Sequence, residues 1–284
     1  MPAQFDPHNL EPHYLALKNG EKLAYHSIYQ DRVSATEPGV IFLCGHGSDM
    51  NGTKALTLQH LAETDGFGFT RFDYFGHGAS DGDFREGTIS RWTDDCLAIL
   101  DEVTTGPQIL VGSSLGGWVM LTAARARPSR IAGLIGIAAA PDFTETLIWN
   151  ELDDTQQQEM MKTGKIALPN PYADEDVIYP YPLITDGRNN LVMTAPLNLT
   201  IPVCLFHGMQ DNEVPWQTAI SLSETLASET VTLHFDKMAG HRFSSPEQLA
   251  AICQAVRVMR TQTKAEPENK AWEQSLGTET GGTS

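Results

Sequence analysis

Gly112-Ser113-Ser114-Leu115-Gly116 sets a serine at the centre of a G-x-S-x-G pentad. An apolar run at 107–112 precedes it and a stretch of helical spacing at 115–128 follows. Small residues at a strand-to-helix turn let the two elements approach closely and lift the central hydroxyl above the strand end. Ser114, rather than Ser113, holds that central position. A hydroxyl is a poor nucleophile until a base takes its proton and an acid orients the base. Asp211 lies in "HGMQDNEVP" after the apolar run 201–206, and His241 in "DKMAGHRFS" after the run 230–235. Serine, acid and histidine in this order, each just past the carboxyl end of a predicted strand, would meet on one rim of a parallel sheet. The chemistry such a set performs is acyl transfer through a covalent intermediate. Asp236 and Glu213 stand as alternative orienting acids, although Asp236 follows its strand so closely that reaching His241 is awkward. His77, in a loop, His207, at a strand end, and His234, within a strand, read as structural.

Acyl transfer also needs donors for the oxyanion, fixed before reaction. The backbone N–H of Leu115, directly after the nucleophile, is the first. The second is expected from "GHGSDMNGTKA", where two registers place it on His46 or on Ser48. His46 is preferred because it follows the first glycine after the strand, and its imidazole is incidental in this reading. The scheme needs no metal and no organic cofactor.

The elements that must position these residues alternate. Strands are expected at 22–28, 39–44, 67–73, 107–112, 131–140, 201–208 and 230–235. Helices are expected at 53–65, 88–103 and 115–128, near 216–227, and near 246–260. Near-continuous apolar strands alternating with amphipathic helices specify an α/β fold, a mostly parallel sheet with helices on both faces. No helix separates 22–28 from 39–44, so the sheet is expected to open with those two as an antiparallel pair. Residues 1–261 form one domain, interrupted at about 142–199 by a segment suited to a small cap over the site. Its apolar residues Phe143, Leu147, Ile148, Trp149, Met160 and Met161 could line an acyl channel or could hold the cap together. Residues 262–284 are polar and glycine-rich and read as a disordered tail.

The 284 residues carry a formal charge of −17, which repels phosphate backbones and argues against a nucleic-acid partner. No apolar run reaches the roughly 18 residues needed to cross a bilayer, so membrane insertion is not expected. The first residues have no apolar signal core and no arginine before Arg32, which reads as cytoplasmic. Cys44, Cys96, Cys204 and Cys253 are scattered in apolar settings and read as free thiols.

"MNGTKAL", "RFDYFGHGASDG", "GPQILVGSSLGGWVML", "RPSRIAGLIGIAAAPDF" and "HGMQDNEVPW", with Ser114, Asp211 and His241 in order, resemble the α/β-hydrolase superfamily over residues 13–260. Within it, these blocks are similar to an animal mitochondrial family of palmitoyl-protein thioesterases that also cleave acyl glucuronides, including that of mycophenolic acid. The resemblance implies an α/β-hydrolase fold and a serine esterase or thioesterase. Its substrate would be a small ester or acyl-thioester, or an S-acylated protein. "CGHGSDM" departs from the family, which has an aromatic residue after the first glycine. The cap's acids outnumber Lys162, Lys165 and Arg188, a field that slightly disfavours an anionic glucuronide. A serine at the elbow argues against dehalogenase and epoxide-hydrolase chemistry. Acyltransferase, peptidase or haloperoxidase-type chemistry, or a catalytically silent scaffold, are the rival readings.

Overall fold

The apolar runs at the heart of the sequence become strands with every residue buried, as expected of strands covered on both faces. A computed structural model describes residues 11–169 and 176–265. The chain runs through His13–Ala16 (β1), Lys22–Ile28 (β2), Gly39–Leu43 (β3), Thr53–Asp65 (α1), Phe69–Phe72 (β4), Ile89–Ala98 (α2), Gln108–Ser113 (β5) and Leu115–Ala126 (α3). It continues through Ile131–Ile137 (β6), Asp154–Thr163 (α4), Lys165–Leu168 (β7), Val177–Pro180 (β8), Tyr181–Asn189 (α5), Val203–Gly208 (β9), Gln217–Thr225 (α6), Val231–Asp236 (β10) and Pro246–Ala265 (α7).

Eight strands form one sheet in the order β1-β2-β4-β3-β5-β6-β9-β10. It is parallel from β4 to β10, and β1, β2 and β4 are joined antiparallel. α1 packs on α7, and α2 packs on α3 and α5. This is the α/β-hydrolase fold.

The expected pairing of 22–28 with 39–44 does not occur. β4 lies between them, with Tyr25 opposite Phe72 and Val40 opposite Phe69. The hairpin partner of β2 is instead β1, a strand absent from the sequence reading. Three of its four residues are exposed, so it carries no apolar alternation to signal it. The chain leaves β3 toward β4 on one side and returns to β5 on the other. Ligands bind at such a reversal, beyond the carboxyl ends of the strands.

Between β6 and β9, α4, the β7–β8 hairpin and α5 form the inserted segment. A capping box of Asp153 and Gln156 starts α4, and Gly164 in the left-handed region ends it. Asp142, at φ 58°, closes the base of the insertion, its carboxylate accepting the N–H groups of Val192 and Met193 at 2.9 Å each. The Trp118 indole N–H donates to the Asn190 carbonyl at 3.0 Å, and the Asp186 carboxylate accepts the Ser90 N–H at 2.8 Å. These bonds fasten α5 to α3 and α2. α7 continues to Ala265, so helix takes the first residues of the expected tail, and residues 266–284 lie outside the described residues. All four cysteines are free thiols; three are buried and Cys253 is half-buried.

Candidate active site

At the end of β5 the backbone turns through Ser114 at φ 53° and ψ −117°, a region costly for a residue with a β-carbon. The turn is tight enough that a Cβ on Gly112 would lie 2.2 Å from the Gly116 carbonyl oxygen. A Cβ on Gly116 would meet the Leu43 carbonyl oxygen at the same distance. Strand, helix and the neighbouring β3 can converge only because those positions lack side chains. Ser113 is buried, whereas Ser114 is half-buried at the rim of a cleft of about 850 Å³.

His241 Nε2 lies 3.1 Å from Ser114 Oγ, and His241 Nδ1 lies 2.8 Å from Asp211 Oδ2. The loops carrying the acid and the histidine are locked to each other. The N–H of Met209 donates to the Asp236 carbonyl, and that of Gln210 to the Ala239 carbonyl, both at 2.8 Å. A Cβ on Gly208 would press on the Ala239 carbonyl oxygen at 2.2 Å, so this approach also depends on glycine. Asp211 Oδ1 accepts the N–H groups of Glu213 and Val214 at 2.9 Å each. Burial alone would raise the Asp211 carboxyl, but hydrogen bonds from His207 and His241 outweigh it and hold the group well below the usual carboxylate range.

The alternative acids are engaged elsewhere. Asp236 accepts the Met238 N–H at 2.9 Å and the Gln248 amide at 2.8 Å, which ties it to the start of α7. Glu213 Oε2 comes within 3.9 Å of His241 Nε2, on the serine-facing side of the ring rather than behind it.

As the first residue of α3, Leu115 has an N–H with no intrahelical acceptor, pointing at the same rim. In the facing loop, the Ser48 N–H donates to the Gly45 carbonyl at 3.1 Å and the Gly47 N–H to His77 Nε2 at 3.3 Å. Among the described residues, the His46 N–H has no such engagement. This loop touches the serine: a Cβ on Gly45 would sit 3.4 Å from that of Ser114.

The His46 imidazole, incidental in the sequence reading, is enclosed by rings. It stacks on Tyr179 of β8 with centroids 5.6 Å apart and meets Phe84 edge-on at 4.6 Å. Burial, helped by nearby His77, pushes its pKa down to about 3, so the ring is neutral at ordinary pH. His77 donates from Nδ1 to the Phe75 carbonyl at 3.1 Å, which leaves Nε2 to accept from Gly47. His234 stacks on Phe206.

The cleft has a mixed lining. Phe84, Phe143, Leu147, Ile148, Leu168 and Tyr179 are its apolar part, most of them from the inserted segment. Asp49, Thr53, Lys54, Asn212, Arg242 and Ser244 are its polar part. Of the six apolar cap residues singled out in the sequence, Phe143, Leu147 and Ile148 line the cleft. Met160 is buried, Met161 is half exposed, and Trp149 packs under the Arg188 guanidinium. Three of the six therefore line the cleft, and Met160 packs in the core. Lys54 was absent from the sequence reading; burial, then nearby Arg242, lowers its pKa to about 8, and its ammonium donates to the Arg242 carbonyl at 2.6 Å.

Known proteins carry the same architecture. A family model described as serine aminopeptidase, S33, matches residues 35–169. The mouse protein named palmitoyl-protein thioesterase ABHD10, mitochondrial, is 42% identical over 212 residues, covering 74% of this chain and 71% of its own. The chain belongs to the ABHD10-type family of α/β hydrolases. A solved structure of mouse α/β hydrolase domain-containing protein 10 superposes with a TM-score of 0.80 at 35% identity, covering 88% of this chain and 98% of that one. A putative hydrolase from Agrobacterium vitis S4 superposes with a TM-score of 0.82 at 38% identity, with the same coverage. Membership of the ABHD10-type family carries the reading of this chain as a serine hydrolase of esters or thioesters. It also corrects one expectation. The mammalian ABHD10 relatives are mitochondrial by name, which overturns the cytoplasmic reading. That reading rested on the composition of the first residues alone. Among the described residues, no helix is long and apolar enough to cross a membrane.

Proposed function

We propose that this protein cleaves acyl thioesters and oxygen esters through an acyl-enzyme on Ser114, with long-chain S-acyl groups on protein cysteines as its substrate class. The observation that carries the reading is the unbroken hydrogen-bonded line from Asp211 through His241 to Ser114, at 2.8 and 3.1 Å. His241 Nε2 takes the hydroxyl proton as Ser114 Oγ forms a bond to the carbonyl carbon. The carbonyl electron pair moves onto oxygen, where the N–H groups of Leu115 and His46 hold it. Asp211 keeps the proton on Nδ1 and steadies the imidazolium. Collapse breaks the bond to the leaving group, alkoxide or thiolate, which takes the proton from His241 and leaves the imidazole neutral again. Water, deprotonated by the same imidazole, then attacks the acyl-enzyme and frees the acid.

The apolar part of the cleft lining supports a long acyl chain, lying along Phe143, Leu147, Ile148 and Leu168. The polar part supports a hydrated leaving group. The test is a comparison of kcat/KM on a palmitoyl thioester, short and long p-nitrophenyl esters and an acyl glucuronide. The palmitoyl thioester is expected to lead. A preference for acetyl over palmitoyl groups of more than tenfold would overturn the substrate assignment.

A further inference from the structure

His207 is the one histidine of the structural group that reaches the active-site acid. It belongs to β9 and is fully buried. Its Nε2 lies 3.1 Å from Asp211 Oδ2 and 3.0 Å from the Val214 carbonyl oxygen. Both neighbours are acceptors, so Nε2 must carry the proton. Its Nδ1 is buried and has no hydrogen-bond partner. Nε2 is thus the ring atom that donates, and Nδ1 the one left without a partner. An apolar side chain would fill the same place without the penalty of an orphaned nitrogen. The imidazole is therefore explained by what its Nε2–H does.

That N–H clamps both ends of a small loop. Asp211 Oδ1 is satisfied by the Glu213 and Val214 N–H groups, and Val214 returns its carbonyl to His207. Oδ2 is shared by two imidazoles, His241 from one side and His207 from the other. A donor on Oδ2 fixes the carboxylate plane and draws charge from the oxygen that faces His241. We propose that His207 is a positioning residue, an Nε2–H donor that orients Asp211 and moderates its pull on the His241 proton. The inference rests on the role given to Asp211 above.

The other charged or titratable groups around His241 are Glu213, 3.9 Å from Nε2, its neighbour Arg242, and Lys54, bonded to the Arg242 carbonyl. Removing the His207 donor changes the hydrogen bonding of Oδ2 directly. The charge left on Oδ2 then binds the imidazolium more tightly, and the proton is retained to higher pH.

Two measurements test this. In the intact protein with ¹⁵N-labelled histidine, NMR is expected to find a proton on His207 Nε2. A ring whose Nε2 carries no proton overturns the proposal without any variant. In His207→Leu, and in His207→Asn, whose amide is too short to reach Oδ2, kcat/KM should fall about tenfold or more with KM little changed. The acid limb of the profile should move upward by about half a pH unit. His207→Gln, which keeps a donor at similar reach, should restore the limb and most of the rate. Lost rate with an unmoved acid limb, or no rescue by Gln, would reduce His207 to packing. Full turnover in Ser114→Ala would instead bring down the underlying reading.

Discussion

At the scale of single residues, the hydroxyl that matters and the one beside it are separable. Ser114→Ala removes the proposed nucleophile and should cost roughly 10⁴–10⁶ in turnover, with fluorophosphonate labelling lost. Ser113→Ala, in a buried side chain off the hydrogen-bonded line, should cost far less. A second residue-scale consequence concerns Asp211. Its carboxyl is held below the unfolded value of 3.8, so it contributes stability that is fully present above about pH 4 and lost as pH falls toward the folded-state value. Chemical denaturation of Asp211→Asn should therefore show a gap from wild type that is full at neutral pH and closes below pH ~4. Ser114, Asp211 and His241 are legible together because order along the chain and position after strands are sequence properties. The partners of Asp236 are not, because a turn carboxylate and a triad carboxylate look alike in sequence. Nor is His207: nothing in "CLFHG" tells a histidine that packs from one that donates to a carboxylate four residues on.

At the scale of elements, one carboxylate ties the two ends of the inserted segment together. Asp142 joins its first residue to Val192 and Met193 near its last, and burial raises this carboxyl, opposed by those two N–H bonds. Asp142→Ala leaves two buried donors without acceptors, each costing about 1–3 kcal/mol. The melting temperature should fall, and the KM for a long-chain substrate should rise more than that for an acetyl ester, since on the proposed placement only the long chain reaches the apolar lining of the cleft. Equal changes in both would show that the cap contributes stability alone. The central strands and helices are legible because an apolar run between turn residues has few alternatives. The β7–β8 hairpin is not: "IALPNPYADEDVIYPYPL" is broken by prolines, and its pairing of Ile166 with Tyr179 is set by packing over the cleft. The strand order is hidden for a related reason. Which side β4 takes beside β3 depends on the crossover's path, and the sequence between them specifies a helix but not a destination.

At the scale of the whole molecule, a net charge of −17 sets a repulsive field for anions while the cleft holds a local exception. Lys54 and Arg242 belong to its polar lining, and with a pKa near 8 most Lys54 side chains carry their charge at neutral pH. Asp49 and Glu213 line the same cleft and oppose them. The two scales are distinguished by range. Charges beyond about 8 Å are largely screened at physiological ionic strength, and at roughly 0.01 M the screening length grows to about 30 Å. Low salt therefore amplifies the global field, while contacts inside the cleft change little. For a carboxylate-bearing ester such as an acyl glucuronide, kcat/KM should fall several-fold as ionic strength drops from about 0.15 to 0.01 M, through slower encounter. A neutral p-nitrophenyl ester of the same acyl chain should be unaffected, which separates steering from any effect of salt on the fold. A rise for the anionic ester at low salt would mean that the Lys54–Arg242 pair, not the global charge, governs approach. Lys54→Gln should then abolish the rise.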